Sequence, residues 1–245
     1  KPLSILSHLS RAGHSCWTIV VAVAAVGIVI GVMNMTGLGI RFSNVILSFS
    51  GDSILVSLVL LMLGCLVLGM GMPTTAIYFL LAVLATPPLV ELGVEPIAAH
   101  LFVLYFGLMS MITPPVALAA FTAAKLAETG PMGTAVAACR FGWPAFVVPF
   151  LFVIAPNLIM IGEPIDIAIV FVTAIAGIWF ASAGMTGYFL TKLSLIQRAA
   201  YIVGGLALLL PSQAFTNAYL VEIAGGIICS FTFALERMNR QKQYQ

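Results

Sequence analysis

The chain has 245 residues, of which 62% are hydrophobic and 7% charged, and its formal net charge is +2. A soluble globular domain carries about 25% charged residues, so the composition excludes one and marks a multi-pass, all-α integral membrane protein whose surroundings are a lipid bilayer. The low net charge and the lack of a basic patch exclude a nucleic-acid partner.

A spanning helix needs about 20 apolar residues, so the length suits roughly six or seven membrane segments. The chain begins Lys1-Pro2 without an initiator Met, and no signal peptide precedes its first apolar run. This suggests a piece from the C-terminal part of a longer protein.

The first apolar run is Trp17 to Met35, and it stops at Thr36-Gly37-Leu38-Gly39, a helix-stop signal. Arg41 to Ser50 reads as a short amphipathic stretch. The next runs, Ile54 to Leu68 and Ala76 to Val90, are each about 15 residues, short for a crossing and suited to the arms of a re-entrant hairpin. Between them lies "GMGMPTT", Gly69 to Thr75. A run from Ile97 to Ala127 is interrupted at Thr113-Pro114-Pro115, and a polar loop is expected from Glu128 to Arg140. Further apolar runs cover Phe141 to Ile161, Ile165 to Leu190, Ala199 to Leu210 and Ala214 to Leu235, ahead of a polar, basic tail. The organisation expected is 1–51 (amphipathic segment, first transmembrane helix and connector), 52–127 (hairpin plus discontinuous helix), 128–162 (cytoplasmic loop and transmembrane helix) and 163–245 (extra C-terminal helices and tail).

Charge sets the sidedness. With the tail cytoplasmic, Lys1, Arg11, Lys125, Arg140, Lys192, Arg198, Arg237, Arg240 and Lys242 fall inside and only Arg41 outside, as the positive-inside rule favours. Asp52, Glu91, Glu95, Glu163 and Asp166 fall outside.

The two breaks carry the chemistry. Irregular backbone at membrane depth survives only where protein or water covers it, and broken helices in transporters offer carbonyls to a cation and N–H groups to an anion. Gly69, Gly71 and Pro73 free carbonyls at the hairpin tip, and Thr74 and Thr75 add hydroxyls. Those threonines would equally suit a merely capped, kinked helix. At the second break Pro114 and Pro115 remove two donors and free carbonyls one turn earlier, beside the oxygens of Ser110 and Thr113. A proline kink re-satisfied by those hydroxyls is the plainer alternative. Asn34 and Thr36 form a further candidate pair, with an interhelical hydrogen bond as the plainer reading. His100 reads as a structural histidine, and Gly204-Gly205 and Gly225-Gly226 as close helix packing. Cys16, Cys65, Cys139 and Cys229 are too far apart for metal-ligand spacing and read as single buried thiols.

No catalytic constellation is visible, so an enzyme is not expected, and no cofactor beyond a coupling ion. With carboxylates nearly absent from the apolar runs, that ion is a cation held by neutral oxygens rather than a proton on an acid. A channel subunit would call for rings of charge or a repeated filter, and none is visible. A non-transporting membrane scaffold would account for the glycines but not for two clustered polar breaks.

The stretch "LGMGMPTTAIYFLLAVLATPPLVELGVEPIAAHLFVLYFGLMSMITPPVALAAFTAAKLA" resembles the C-terminal repeat of the large membrane subunit of tripartite ATP-independent periplasmic (TRAP) transporters, and most closely the fused permeases that work with TAXI-type binding proteins. The resemblance is specific over Trp17 to Gly162 and weaker beyond. It implies half of an inverted-repeat elevator transporter in the bacterial inner membrane. Sodium would drive symport of an organic acid, a carboxylate, delivered by a periplasmic TAXI-type binding protein. The first repeat and the small-subunit-like helices of the same permease would be the missing partners. Gly69, Gly71, Thr74, Thr75, Ser110 and Thr113 are the implied sodium ligands, and Pro73, Thr74, Pro114 and Pro115 the implied substrate contacts.

Overall fold

A computed structural model describes residues 13, 17, 20, 21, 23–25, 27–33, 35–51, 53–211 and 218–243, with side chains described to 238. Among the described residues there is no β-strand, only an isolated bridge between Tyr188 and Lys192. The described helices are α1 (Leu38–Ser50), α2 (Ile54–Leu68), α3 (Thr74–Leu84), α4 (Thr86–Glu91), α5 (Pro96–Met109), α6 (Leu118–Leu126), α7 (Pro131–Phe141), α8 (Pro144–Ile154), α9 (Pro164–Thr186), α10 (Leu195–Leu209) and α11 (Ala218–Gln243). A short 3-10 turn, Pro156–Ile159, follows α8. Among these residues Pro131–Ile154, Pro164–Thr186 and Ala218–Met238 are long and apolar enough to cross a membrane. The chain is an all-α membrane protein. It divides into two compact units, Lys1–Cys139 and Arg140–Gln245.

In the first unit the expected amphipathic stretch is α1, which buries Ser43, Ile46 and Ser50. Helices α2 and α3 have 15 and 11 residues. At a rise of about 1.5 Å per residue, neither reaches across a core about 30 Å thick. The two pack with α5, where Leu61, Leu81, Phe102 and Phe106 are fully buried. Gly107 sets the spacing, because a Cβ there would lie 2.6 Å from Ile77 Cγ2. Tyr78 of α3 and His100 of α5 share a hydrogen bond of 3.2 Å between hydroxyl and Nδ1. That partner gives His100 the structural role expected for it. The run expected as Ala76 to Val90 is divided at Ala85, where Pro87 and Pro88 start the new helix α4.

One expectation fails here. Residues 131–141 are helical rather than a polar loop. Pro131 occupies the helix's first position, where its missing N–H costs nothing, and Ala135, Ala137 and Ala138 favour helix, with one charge, Arg140, near its end.

In the second unit α9, α10 and α11 pack through paired glycines. A Cβ on Gly205 would lie 2.6 Å from the Ala181 nitrogen and 2.7 Å from the Gly177 carbonyl, and one on Gly225 would lie 2.7 Å from the Gly204 carbonyl. These neighbours are backbone, which cannot turn aside. Helix α10 begins earlier than the expected Ala199, because Ser194 and Gln197 form a reciprocal capping box. The expected polar tail is instead a continuation of α11, and its Glu236 is fully buried. Glu236 Oε1 accepts the N–H groups of Leu190 and Thr191 at 2.7 and 2.6 Å, and Oε2 accepts the Tyr201 hydroxyl at 3.1 Å. Donors from the turn after α9 and from α10 therefore converge on one carboxylate of α11.

Two expected outcomes follow for stability, each read by thermal or denaturant unfolding in detergent. Gly205→Val forces two backbones apart and should cost at least the ~1–3 kcal/mol typical of overpacking, whereas Gly226→Ala, facing only Leu208 Cδ2 at 3.7 Å, should be close to neutral. Glu236→Ala strands four donors, the N–H groups of Leu190 and Thr191 and the hydroxyls of Thr191 and Tyr201, and should cost about 3 kcal/mol or more; a loss below ~1 kcal/mol would show that the carboxylate is not the clamp.

Candidate functional site

Helix α2 ends where Gly69 donates its N–H to the Cys65 carbonyl at 2.9 Å and Met70 donates to Val67 at 3.3 Å. Gly71 then takes φ +82°, a left-handed conformation that glycine adopts at no steric cost. Pro73 follows at φ −63°, ψ 147° and ends the break, so that helix α3 starts at Thr74. The non-helical tip is therefore Gly69 to Pro73, shorter than the expected Gly69 to Thr75. Thr74 and Thr75 form the first turn of the returning helix. Among the described residues, the carbonyls of Gly69, Met70, Gly71 and Met72 accept no hydrogen bond, and the N–H groups of Thr74, Thr75 and Ala76 donate none.

The second break lies between α5 and α6. Ser110 and Thr113 turn their hydroxyls back onto α5, to the carbonyls of Gly107 at 2.6 Å and Met109 at 2.7 Å. The Pro114–Pro115 bond is cis, and Ala117 enters α6 at φ +31°. Of the carbonyls expected to be freed one turn before the prolines, only that of Ser110 is open. Met111 accepts the Ala119 N–H at 3.0 Å, a bond across the break. The carbonyls of Pro114, Pro115 and Val116 are also open among the described residues.

The breaks meet. A Cβ on Gly69 would lie 2.6 Å from Ser110 Oγ and 3.0 Å from Ser110 Cβ. Thr74 Oγ1 donates to Met111 Sδ at 3.6 Å. Gly69 and Ser110 are buried, while Gly71, Pro73, Thr74, Thr75 and Pro115 are exposed and Thr113 and Pro114 half-buried. Gly69, Thr74 and Ser110 are thus brought into contact across the breaks. Thr113 stands on the far side of the second break, where Cys139 of α7 donates its thiol to the Ile112 carbonyl at 3.3 Å. Thr36 is not part of this set: its hydroxyl bonds the Val32 and Met33 carbonyls of its own helix at 2.9 and 3.2 Å. Asn34 lies outside the described residues.

Met111 went unnoticed in the sequence, and Cys139 was read only as a single buried thiol, whereas it is half-buried and bonded across to the second break. Neither residue type announces a contact 37 or 27 positions away, and nothing local marks either one.

Residues 3–193 match the family described as "Tripartite ATP-independent periplasmic transporter, DctM component". The chain belongs to the DctM family. No curated protein matches it, and no solved structure does. The DctM match takes in both breaks and runs through α9 to Leu193, further than the specific part of the resemblance read from the motifs. As a DctM chain it is a TRAP transporter permease component, a multi-pass membrane protein of a family that acts with a periplasmic binding protein and a small membrane subunit.

The contact between the breaks has a direct test in the full-length permease. Gly69→Ala should lower both thermal stability and uptake, because its Cβ meets Ser110. Adding Ser110→Gly removes the two opposing Ser110 atoms but not the Cys65 carbonyl oxygen at 2.9 Å, so it should restore part of the loss, and additive losses in the double variant would show that the two residues do not touch.

Proposed function

We propose that this DctM chain belongs to a sodium-coupled symporter that takes up an organic acid as its carboxylate, delivered by a TAXI-type periplasmic binding protein, across the bacterial inner membrane. The observation that carries this reading is the meeting of two helix breaks that leave backbone carbonyls open on both sides. Open carbonyls from Gly69 to Met72 and from Pro114 to Val116, with the hydroxyls of Thr74, Thr75 and Thr113, make a set of neutral oxygens. Hard cations take oxygen ligands, and a set without carboxylates suits a monovalent ion. Thr113 Oγ1 gives its proton to Met109 and keeps lone pairs for a ligand.

The other half of the chemistry sits at the start of α3. Three N–H groups without partners, at the positive end of the helix dipole, suit a carboxylate. Pro73 keeps the approach to them rigid, and Pro114 and Pro115 would line the opposite side. A bound cation beside them would strengthen the attraction and couple the two ligands, and such coupling is reciprocal. Short helices ending in a tip, set against a discontinuous helix, also suit a domain that carries its site as one body, as an elevator mechanism requires.

Sidedness gains support from the second unit. Arg140 bonds the Met185 carbonyl, and Glu236 bonds the turn that carries Lys192. Arg140, Lys192, Arg198 and Arg237 therefore gather at the end of α9 opposite Glu163 and Asp166, and that end is assigned to the cytoplasm.

Thr75→Ala and Thr113→Ala in the full-length permease should each raise the sodium concentration for half-maximal uptake several-fold, while stability falls by only about 1 kcal/mol, the worth of one hydrogen bond. Uptake measured against sodium at matched expression in proteoliposomes decides this. An unchanged sodium dependence in both variants would make these threonines helix caps and favour a scaffold role.

A further inference from the structure

In the first unit three oxygens without partners border one cavity. It holds about 190 Å³ where α1 meets the end of α3 and helix α4, and it is lined by Gly39, Ile40, Ser43, Val83, Pro87 and Glu91. Ser43, 2% exposed, forms its inner wall, and its hydroxyl has no hydrogen-bond partner. Such an orphaned buried hydroxyl is costly. The Val83 carbonyl is freed by the sequence: four residues on stands Pro87, which has no N–H to give, and no other donor reaches that oxygen among the described residues. It faces Gly39, whose Cβ would lie 3.7 Å from it. Glu91 stands exposed at the rim, and no basic residue lines the cavity.

A carboxylate and a carbonyl only accept hydrogen bonds, and a hydroxyl accepts them as well. The set therefore calls for a donor that carries positive charge. A primary ammonium has three N–H donors, one for each oxygen. A guanidinium would leave two of its five unmet, a quaternary ammonium has none, and a hard metal ion takes about six oxygens. The space is far larger than one bridging water needs. The remaining walls, Ile40 and Pro87, are apolar and suit a methylene stem. Both are exposed, Ile40 at 71%, so the cavity opens beside hydrocarbon surface. From Thr74 to Val83 the rise is about 14 Å at helical pitch, close to half of a core about 30 Å thick. With the hairpin tip near the bilayer midplane, a placement on which the proposed transport site also rests, the cavity lies at headgroup depth.

We propose that this cavity is a binding site for the ammonium group of a phosphatidylethanolamine headgroup, held by Glu91, Ser43 and the Val83 carbonyl. Glu91 supplies the charge, and the two neutral oxygens supply the direction. Phosphatidylcholine carries the same charge on three methyl groups. It has no N–H for Ser43 or Val83 and is bulkier, so it binds more weakly. Phosphatidylglycerol brings no cation at all.

The test is native mass spectrometry of the purified full-length permease, titrated with phosphatidylethanolamine or phosphatidylcholine of equal chain length. Phosphatidylethanolamine should bind in clear preference. Glu91→Gln should weaken it about tenfold, the size of one charge-assisted hydrogen bond, and leave phosphatidylcholine unchanged. Ser43→Ala should weaken it by a smaller factor without lowering the melting temperature of the lipid-free protein, because the hydroxyl has no partner to lose. Gly39→Leu, which fills the cavity from its wall, should abolish the preference. Equal binding of the two lipids to the unaltered protein would overturn the proposal even if a variant failed to fold. So would displacement of the lipid by free ethanolamine at comparable concentration, which would leave a plain amine site. Loss of the preference once the binding protein and small subunit are added would also overturn it, and would give the cavity to a lysine of a partner. The readout uses neither sodium nor uptake, so failure of the lipid site and failure of the sodium site are told apart.

Discussion

Only a hydrogen atom fits between Gly69 and Ser110. This contact is the constraint on which the first unit depends, since it holds the end of α2 against the end of α5 where both helices stop. A larger residue at either position would part the breaks. The open carbonyls of Gly69 to Met72 and of Pro114 to Val116 would then belong to separate features, and neither could stay at membrane depth without its own cover. Gly107 works in the same direction one turn earlier by letting α3 lie against α5. The hairpin tip is thus placed by packing on both sides rather than by its own loop.

The breaks differ in how they settle their backbone groups. The second closes much of its own account: Ser110 and Thr113 return their hydroxyls to α5, Met111 accepts from Ala119, and Ile112 accepts from Cys139. The first settles almost nothing beyond Gly69 and Met70. An unpaired carbonyl buried in hydrocarbon is costly, so the tip must meet water, a ligand or the rest of the permease. A DctM chain has all three in prospect, and a site that is incomplete until occupied is one whose occupant changes its energy.

The breaks were legible in the sequence because their cause is local. Glycines and a proline in an apolar run, and a Pro-Pro pair behind a threonine, interrupt helices wherever they stand. The packing glycines were legible for the same reason: Gly204-Gly205 and Gly225 face backbone, as small residues in apolar helices do. What remained hidden was set by distance or by a discounted signal. Thr74 meets Met111, and Cys139 meets Ile112, through the tertiary fold alone. Glu236 looked like part of a solvated tail, because seven of the ten residues from Glu236 to Gln245 are charged or glutamine, and only the turn at Leu190 and Thr191 shows why it is buried. The helix over 131–141 and the Ser194–Gln197 capping box were written in local sequence and were passed over because the neighbouring charges suggested loop.

The central claim is that the two breaks form one cation site. It is tested most directly by a high-resolution map of the full-length permease prepared in sodium and again in choline. The account predicts a density peak, present only in sodium, that touches oxygens from both the Gly69–Thr75 segment and the Ser110–Val116 segment. A peak confined to one segment, or identical maps in the two salts, would contradict it.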